Sequence, residues 1–285
     1  MQKLQALIDH LEKGRGIHIS IWDLTGILTL PKTQIDVNSS IHSRKFCGIA
    51  KSTEKGYRLC LKCKALANSK AKKTKTPFDG RCVFGLHEAV VPVVRGGSVD
   101  AIVYVGNAIV DTEATVKKIK STSRYSGVSC EGLMNEAGLC EILKSPKELY
   151  EIGEIVADYL KLLVDSDPEI KTDEHWLIPV IKRYIKENAE YGITISDIAE
   201  LYQKNAQYLG RLFKSEVGVS FTEYCNRTRL DRAARMLEDT DEKIINIAYE
   251  CGFNNVTYFN KVFQKAFGLS PTEYRNSSEK ARICK

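Results

Sequence analysis

Along the last hundred residues, apolar and polar positions follow one pattern written twice. Ile195, Ile198, Ala199 and Tyr202 fall at i, i+3, i+4 and i+7, and Ile244, Ile247, Ala248 and Cys251 repeat that spacing. Each set marks one face of a helix. A short break follows each, at Gln203-Lys204 and at Gly252-Phe253-Asn254. A second amphipathic run comes next, burying Leu209, Leu212 and Phe213 in the first copy and Phe259, Val262 and Phe263 in the second. The opposite faces stay polar: Gln207, Gly210, Arg211 and Lys214, then Thr257, Asn260, Lys261 and Gln264. Asn205 and Asn255 stand where an amide oxygen can cap a helix N-terminus. Ser220-Phe221-Thr222-Glu223 and Ser270-Pro271-Thr272-Glu273 both have the S-x-x-E form of a capping box. From Ser220 one helix is expected to run to about Asp239 and hold the two halves apart. Two copies are too few for a solenoid, so each is a small unit with its own task. Helix, tight turn and helix with a polar outer face is the layout that lays a recognition helix in a DNA major groove.

The first half of the chain has a different period. Ile17, Ile19 and Ile21 alternate with His18, Ser20 and Trp22, and Ile27 to Leu30 resume the run after Asp23-Leu24-Thr25-Gly26, which predicts a strand hairpin over Gly16–Leu30. Helices are expected over Ser39–Ala50 and Gly56–Lys73, with Pro77 and Gly80 closing that segment. Strands are expected over Arg81–Leu86, Ala89–Val94 and Ala101–Val110, the last two joined by Arg95-Gly96-Gly97-Ser98. Beyond them the pattern is helical over Thr112–Lys120, Met134–Leu143 and Pro146–Val164, with Ser121–Gly127 as a loop. The last of these helices carries Leu149, Ile152, Ile155, Val156, Tyr159, Leu160 and Leu163 on a wide apolar face, suited either to its own sheet or to a second copy of the chain. Five strands with intervening helices predict an α+β domain of PAS/GAF type, followed by an all-α domain with two helix-turn-helix units.

Composition adds limits. The chain has 285 residues, 43% of them hydrophobic, and a net charge of +6. That describes an ordinary two-domain protein. No apolar run reaches the roughly 18 residues a membrane helix needs, and Met1 to Arg15 lacks a signal-peptide core. A cytoplasmic chain with no membrane partner is the expectation. From His175 onward there are 17 Lys and Arg against 14 Asp and Glu. Affinity for phosphate must therefore come from the placement of Arg211, Lys214, Lys261 and Lys265 rather than from bulk charge. Nine cysteines without an export signal argue for reduced thiols. Cys47, Cys60, Cys63 and Cys82 form a C-x12-C-x2-C-x18-C set, a candidate for Zn2+ or an iron–sulfur cluster, with plain packed thiols or a redox role as the alternatives. The lysine-rich stretch Asn68–Lys73 reads as a solvated face. There is no Ser/His/Asp set, phosphate loop or glycine fingerprint, so an enzyme is not expected.

Two resemblances sharpen this. Ile198-Ala199, Tyr208-Leu209, Arg211-Leu212-Phe213-Lys214, Gly218, Arg229-Leu230, Ala233-Ala234 and Leu237, then Ile247-Ala248, Gly252-Phe253, Tyr258-Phe259, Val262-Phe263, Gly268, Ser270-Pro271 and Tyr274-Arg275 resemble the DNA-binding domain of the AraC/XylS regulators. That resemblance implies seven helices whose two units read adjacent major grooves, about 34 Å apart on one face of the duplex. It places base or phosphate reading on Gln207, Gly210, Arg211, Val256, Thr257, Asn260 and Lys261. Gln203 and Lys204 depart from the glycine and apolar residue common at the first turn. Phe46-Cys47, Cys60, Cys82 with Gly85-Leu86, Pro92 and Gly106 resemble the PocR-type sensory domain, which implies a PAS-like fold sensing a small molecule. Trp22, His87, Glu88 and Asn107 are the expected wall of its ligand site.

The expected organisation is a sensor over 1–164, a linker over 165–174, a DNA-binding domain over 175–276 and a tail over 277–285. Expected partners are double-stranded promoter DNA, a small-molecule or metal effector, RNA polymerase and a second copy of the chain. The function expected is a ligand-responsive, one-component transcription regulator, with a metal- or redox-sensing regulator as the alternative.

Overall fold

A computed structural model describes residues 3–40, 44–166 and 174–283. The chain divides into two units, Met1–Leu177 with Glu200–Gln203, and Ile178–Ala199 with Lys204–Lys285. The first begins with α1 (Lys3–Glu12), β1 (His18–Asp23), a 3-10 turn at Ile27–Thr29, α2 (Val37–Ser40), α3 (Lys45–Ala50) and α4 (Glu54–Thr74). It continues through β2 (Phe78–Arg81), β3 (His87–Arg95), β4 (Ser98–Ile109), α5 (Thr112–Ser126), α6 (Cys130–Ala137), β5 (Glu141–Ile142) and α7 (Lys147–Asp165).

The sheet order is β1-β4-β3-β2, all antiparallel, with β5 lying parallel to the end of β4. Strand alternation sends Ile19, Ile21, Val91, Val93, Ala101, Val103 and Val105 to one face, where α1 and α7 close the main core. The other face carries His18, Ser20, Trp22 and Tyr104, and α4 lies against β3 and β4. A second, sulfur-rich core gathers Phe46, Phe84, Leu86, Ile109, Ile119 and Leu133, with Cys47, Cys60, Cys82, Cys130, Cys140 and Met134 packed in or against it.

Helix α7 turns its apolar face onto its own sheet: Leu149, Ile152, Val156, Leu160 and Leu163 are buried there, while Ile155 is half exposed. Gly153 makes the close approach possible, because a Cβ there would lie 2.6 Å from Val91 Cγ2. Gly153→Ala is expected to cost about 1–3 kcal/mol by overpacking, read as a lowered melting temperature of the first unit. An unchanged melting temperature would mean that α7 is not seated on β3.

Several elements differ from the sequence expectations, each for a local reason. The hairpin over Gly16–Leu30 does not form. The Asp23 carboxylate accepts the backbone N–H groups of Thr25, Gly26, Ile27 and Leu28 at 2.7 to 3.2 Å. That network curls the chain into the 3-10 turn, and β1 pairs with β4 instead. The helix expected over Ser39–Ala50 is broken at Arg44, which is extended (φ −62°, ψ 150°) and reaches Glu12 and the Ile17 carbonyl; residues 41–43 lie outside the described residues. The strand expected at Arg81–Leu86 sits earlier, at β2, because Cys82 N–H donates to the Leu86 carbonyl and closes a turn. Ser121–Gly127 is not a loop, since α5 continues to Ser126. Met134–Leu143 holds the end of α6 and the two residues of β5 instead of one helix. The Arg95-Gly96-Gly97-Ser98 connector does turn as expected, with both glycines at positive φ.

The second unit is helical: α8 (Leu177–Asn188), a 3-10 turn at Ala189–Tyr191, α9 (Ile195–Tyr202), α10 (Ala206–Val217), α11 (Phe221–Asp239), α12 (Ile244–Glu250), α13 (Val256–Phe267) and α14 (Pro271–Ile283). One core of this unit joins Leu230, Ala233 and Leu237 of α11 to Ile247, Ala248, Phe253, Phe259 and Phe263. Most of the expected linker, residues 167–173, lies outside the described residues.

Candidate nucleic-acid interface and sensor pocket

The two helix pairs of the second unit are built on one frame. Asn205 accepts from Tyr208 N–H at 2.9 Å and Asn255 from Tyr258 N–H at 2.8 Å, so α10 and α13 start from the same cap. Lys204 N–H reaches the Ala199 carbonyl at 2.9 Å, and Phe253 N–H reaches the Ala248 carbonyl at 2.9 Å. The turn closes through the same kind of bond in both copies, with one more residue, Asn254, before the cap in the second, and Gln203 takes a left-handed φ of 53° where Gly252 takes 87°. Ser220 and Ser270 each accept from the N–H of the glutamate three residues on, and in the second copy Glu273 accepts in return from Ser270 N–H.

With Leu209 and Phe213, or Phe259 and Phe263, turned into the core, the outer stripes are set by helical geometry. Gln207, Arg211 and Lys214 on α10 are exposed, as are Thr257, Asn260, Lys261, Gln264 and Lys265 on α13. Gly210 is half-buried, and a Cβ there would have only Ile195 at 4.0 Å. Val256 is also half-buried, against the core of the second pair, which leaves it less of its side chain for reading a base than the resemblance implies. Tyr208 and Tyr258 stand exposed on the first turns of α10 and α13, and Asn226 donates to the Tyr258 hydroxyl at 3.1 Å. Both tyrosines belong to the repeat, but nothing in their spacing marked them as surface groups.

In the first unit, a recess of about 30 Å3 is lined by His18, Phe46, Cys47, Cys82, Leu86, His87, Glu88, Gly106 and Asn107. Three of the four residues expected at the ligand wall are present. Trp22 is not among them; it lies four residues further along β1 on the same face as His18. The recess also takes in His18, Phe46, Cys47, Cys82, Leu86 and Gly106, which were not expected on that wall. For His18 the signal existed, since it alternates against Ile17 and Ile19.

The recess is held from several sides. His18 Nδ1 lies 2.9 Å from Glu12, which also takes Ile19 N–H and Arg44. Burial pushes the Glu12 carboxyl up, yet those partners together hold it below its ordinary value. His87 is pushed down, chiefly by burial and against the pull of Asp79, so its neutral form is favoured. Its Nδ1 is buried without a hydrogen-bond partner among the described residues. The Cys47 thiol lies 4.0 Å from Asn107 Oδ1.

Of the four cysteines expected as a metal set, Cys47, Cys60 and Cys82 all pack against the second core, with Cys63 close by. Cys47 and Cys82 also line the recess, and Cys63 meets the backbone N–H of Val83. Among the described residues no three His, Cys, Asp or Glu groups are placed to hold a metal ion. Burial pushes Cys47 to about 11 and Cys82 to about 12, and raises Cys60 and Cys63 as well. Protonated thiols of this kind are weak nucleophiles. No helix is long and apolar enough to cross a membrane, among the described residues.

Comparison with known proteins bears on both units. Residues 1–166 match the family described as a sensory domain found in PocR, and residues 198–277 match a helix-turn-helix domain family. The chain is 23% identical over 262 residues to the regulatory protein PocR of Salmonella typhimurium, covering 84% of each. It is 32% identical over 140 residues to the uncharacterized HTH-type transcriptional regulator YijO of Escherichia coli, covering 48% of this chain and 50% of that one. The chain thus spans about half or less of the length of the first relatives it matches. Among solved structures, the C-terminal domain of AraT, a response regulator from Geobacillus stearothermophilus, is 32% identical. That match covers 35% of this chain and 84% of that one, with a TM-score of 0.34.

Proposed function

The chain belongs to the family of regulators built on the PocR sensory domain and an AraC-type DNA-binding domain, and from that premise we propose a ligand-responsive, one-component transcription regulator. Its output is two helix-turn-helix units that lay α10 and α13 in successive major grooves of promoter DNA. The single observation that carries this reading is the duplicated frame: matching caps and turn-closing bonds present two exposed polar stripes, opposite the buried Leu209 and Phe213 in the first copy and Phe259 and Phe263 in the second. RNA polymerase is the further partner such an output requires.

The sensor is read as PAS-like, with the recess as its ligand site. A recess of about 30 Å3 has room for roughly two waters' worth of volume, so the occupant has few non-hydrogen atoms or displaces Phe46 and Leu86. His87 Nδ1, the Asn107 amide and the Glu88 carboxylate suit a small, hydroxyl-bearing, uncharged molecule. Such a molecule acts only if it binds one arrangement of the sensor better than another.

Fluorescence anisotropy with the chain's own promoter fragment tests the output. Arg211→Ala is expected to weaken specific binding by about 1–3 kcal/mol with relaxed choice at one base position if Arg211 reads a base edge, and uniformly on all sequences if it contacts phosphate. Equal affinity of wild type and variant, across a salt series, would exclude α10 from the interface.

A further inference from the structure

Strand β4 runs without a break from Ser98 to Ile109, yet its pairing changes partway along. On one edge β1 pairs as far as His18↔Gly106, and β5 takes over at Ala108↔Glu141 and Ile109↔Ile142. On the other edge β3 pairs His87↔Ala108 and then Ala89↔Val105. Glu88 alone therefore spans Gly106 and Asn107, which is a β-bulge. Asn107 holds a left-handed φ of 61° in mid-strand, a backbone state that residues with a Cβ rarely keep. Gly106 lies so close to its cross-strand neighbour that a Cβ would meet Glu88 Cγ at 3.2 Å. All three bulge residues line the recess.

The extra residue resets the alternation of the strand. Val105 and Ala108 both enter the main core, and Ile109 enters the second core. Without the bulge, Ala108 and Ile109 would exchange faces. The end of β4 is tied in turn to the start of α7. Leu143 N–H donates to the Ile109 carbonyl at 2.8 Å, Leu143 is buried in the main core, and α7 begins at Lys147.

We propose that the bulge at Glu88 and Gly106–Asn107 is the lever by which recess occupancy acts on β5 and α7, with Asn107 as its positioning residue. The inference rests on reading the recess as the sensor's ligand site and names its regulation. A molecule that engages the Asn107 amide or the Glu88 carboxylate favours either the left-handed or the extended state of Asn107. The last two residues of β4 move with it, carrying β5 and the start of α7. Strain of this kind at a ligand-facing residue persists only where the surroundings over-determine it.

Amide hydrogen exchange on the full chain, without any ligand, tests the lever. Asn107→Gly keeps the left-handed backbone and is expected to leave residues 139–146 protected as in wild type. Asn107→Val opposes that backbone and is expected to speed exchange at Ile142 and Leu143 by about 10-fold, with Ile19 and Ile21 of β1 changed less than about 2-fold. Asn107→Ala should fall between and serves in its place if the valine variant does not fold. Equal acceleration of β1 and β5, no acceleration in either the valine or the alanine variant, or an effect of Asn107→Gly as large as that of Asn107→Val would each overturn the proposal. Anisotropy of the wild-type chain on promoter DNA, run in parallel, isolates the regulator reading: its failure leaves the exchange result standing, and the reverse.

Discussion

Gly252→Ala is expected to destabilise the C-terminal unit by about 2–5 kcal/mol and to abolish specific DNA binding at temperatures where the wild type is folded. Two costs add. The left-handed backbone destabilises an L-residue by about 1–2 kcal/mol, and the new Cβ would sit 2.6 Å from both Cα and the carbonyl oxygen of Glu190. A clash with backbone cannot be relieved by a side-chain rotation, and overpacking of that kind costs a further ~1–3 kcal/mol. Gln203 occupies the matching place in the first turn with a φ of 53°, so Gln203→Gly is expected to stabilise the first pair by up to about 1 kcal/mol. Urea unfolding of the full chain, with promoter binding monitored through the same transition, checks both. A Gly252→Ala chain with wild-type affinity and midpoint would show that the second turn is not held against Glu190.

Asp23→Ala is expected to cost the sensor about 2–4 kcal/mol, because it strands four backbone N–H groups in a buried turn. Asn should cost less. Three of those donors converge on Oδ1, which an amide oxygen can replace, and only Leu28 N–H faces Oδ2. Burial pushes the Asp23 carboxyl from 3.8 up to about 6, against the pull of those N–H groups. The folded state therefore keeps a proton that the unfolded chain gives up. This contribution to stability is fully present below pH 4 and is lost as pH rises through 6, by roughly 3 kcal/mol in all. Asp23→Asn should remove that slope between pH 4 and 6. A stability profile of the same slope in wild type and Asp23→Asn would assign it to another group.

Legibility along the chain tracked the range of the interactions involved. In the second unit, caps, turns and apolar spacing act within about one turn of helix. Asn205, Asn255, Ser220 and Ser270 therefore took the places their spacing predicted. In the first unit the alternation correctly chose the faces of β1, and the ranges of β3 and β4 were legible, but not the pairing. Nothing near Ile27 says that the Asp23 carboxylate will collect four N–H groups and prevent a hairpin. Equally, a two-residue β5 has too few positions to show a period.

By itself the sequence determined the two-domain order, the duplicated helix pairs with their exposed stripes, and the identity of Glu88, His87 and Asn107 as polar groups on a largely apolar sheet. Only the tertiary structure decided which residues meet. It placed Cys47 and Cys82 beside the recess and Cys60 against a core, set α7 on its own sheet, and put Asn107 at the point where β4 changes neighbours. The physical reason is that caps and periodicity are local properties of the chain. Thiol placement, strand pairing and a bulge depend on residues up to a hundred positions apart, and the packing of the whole sheet selects among them.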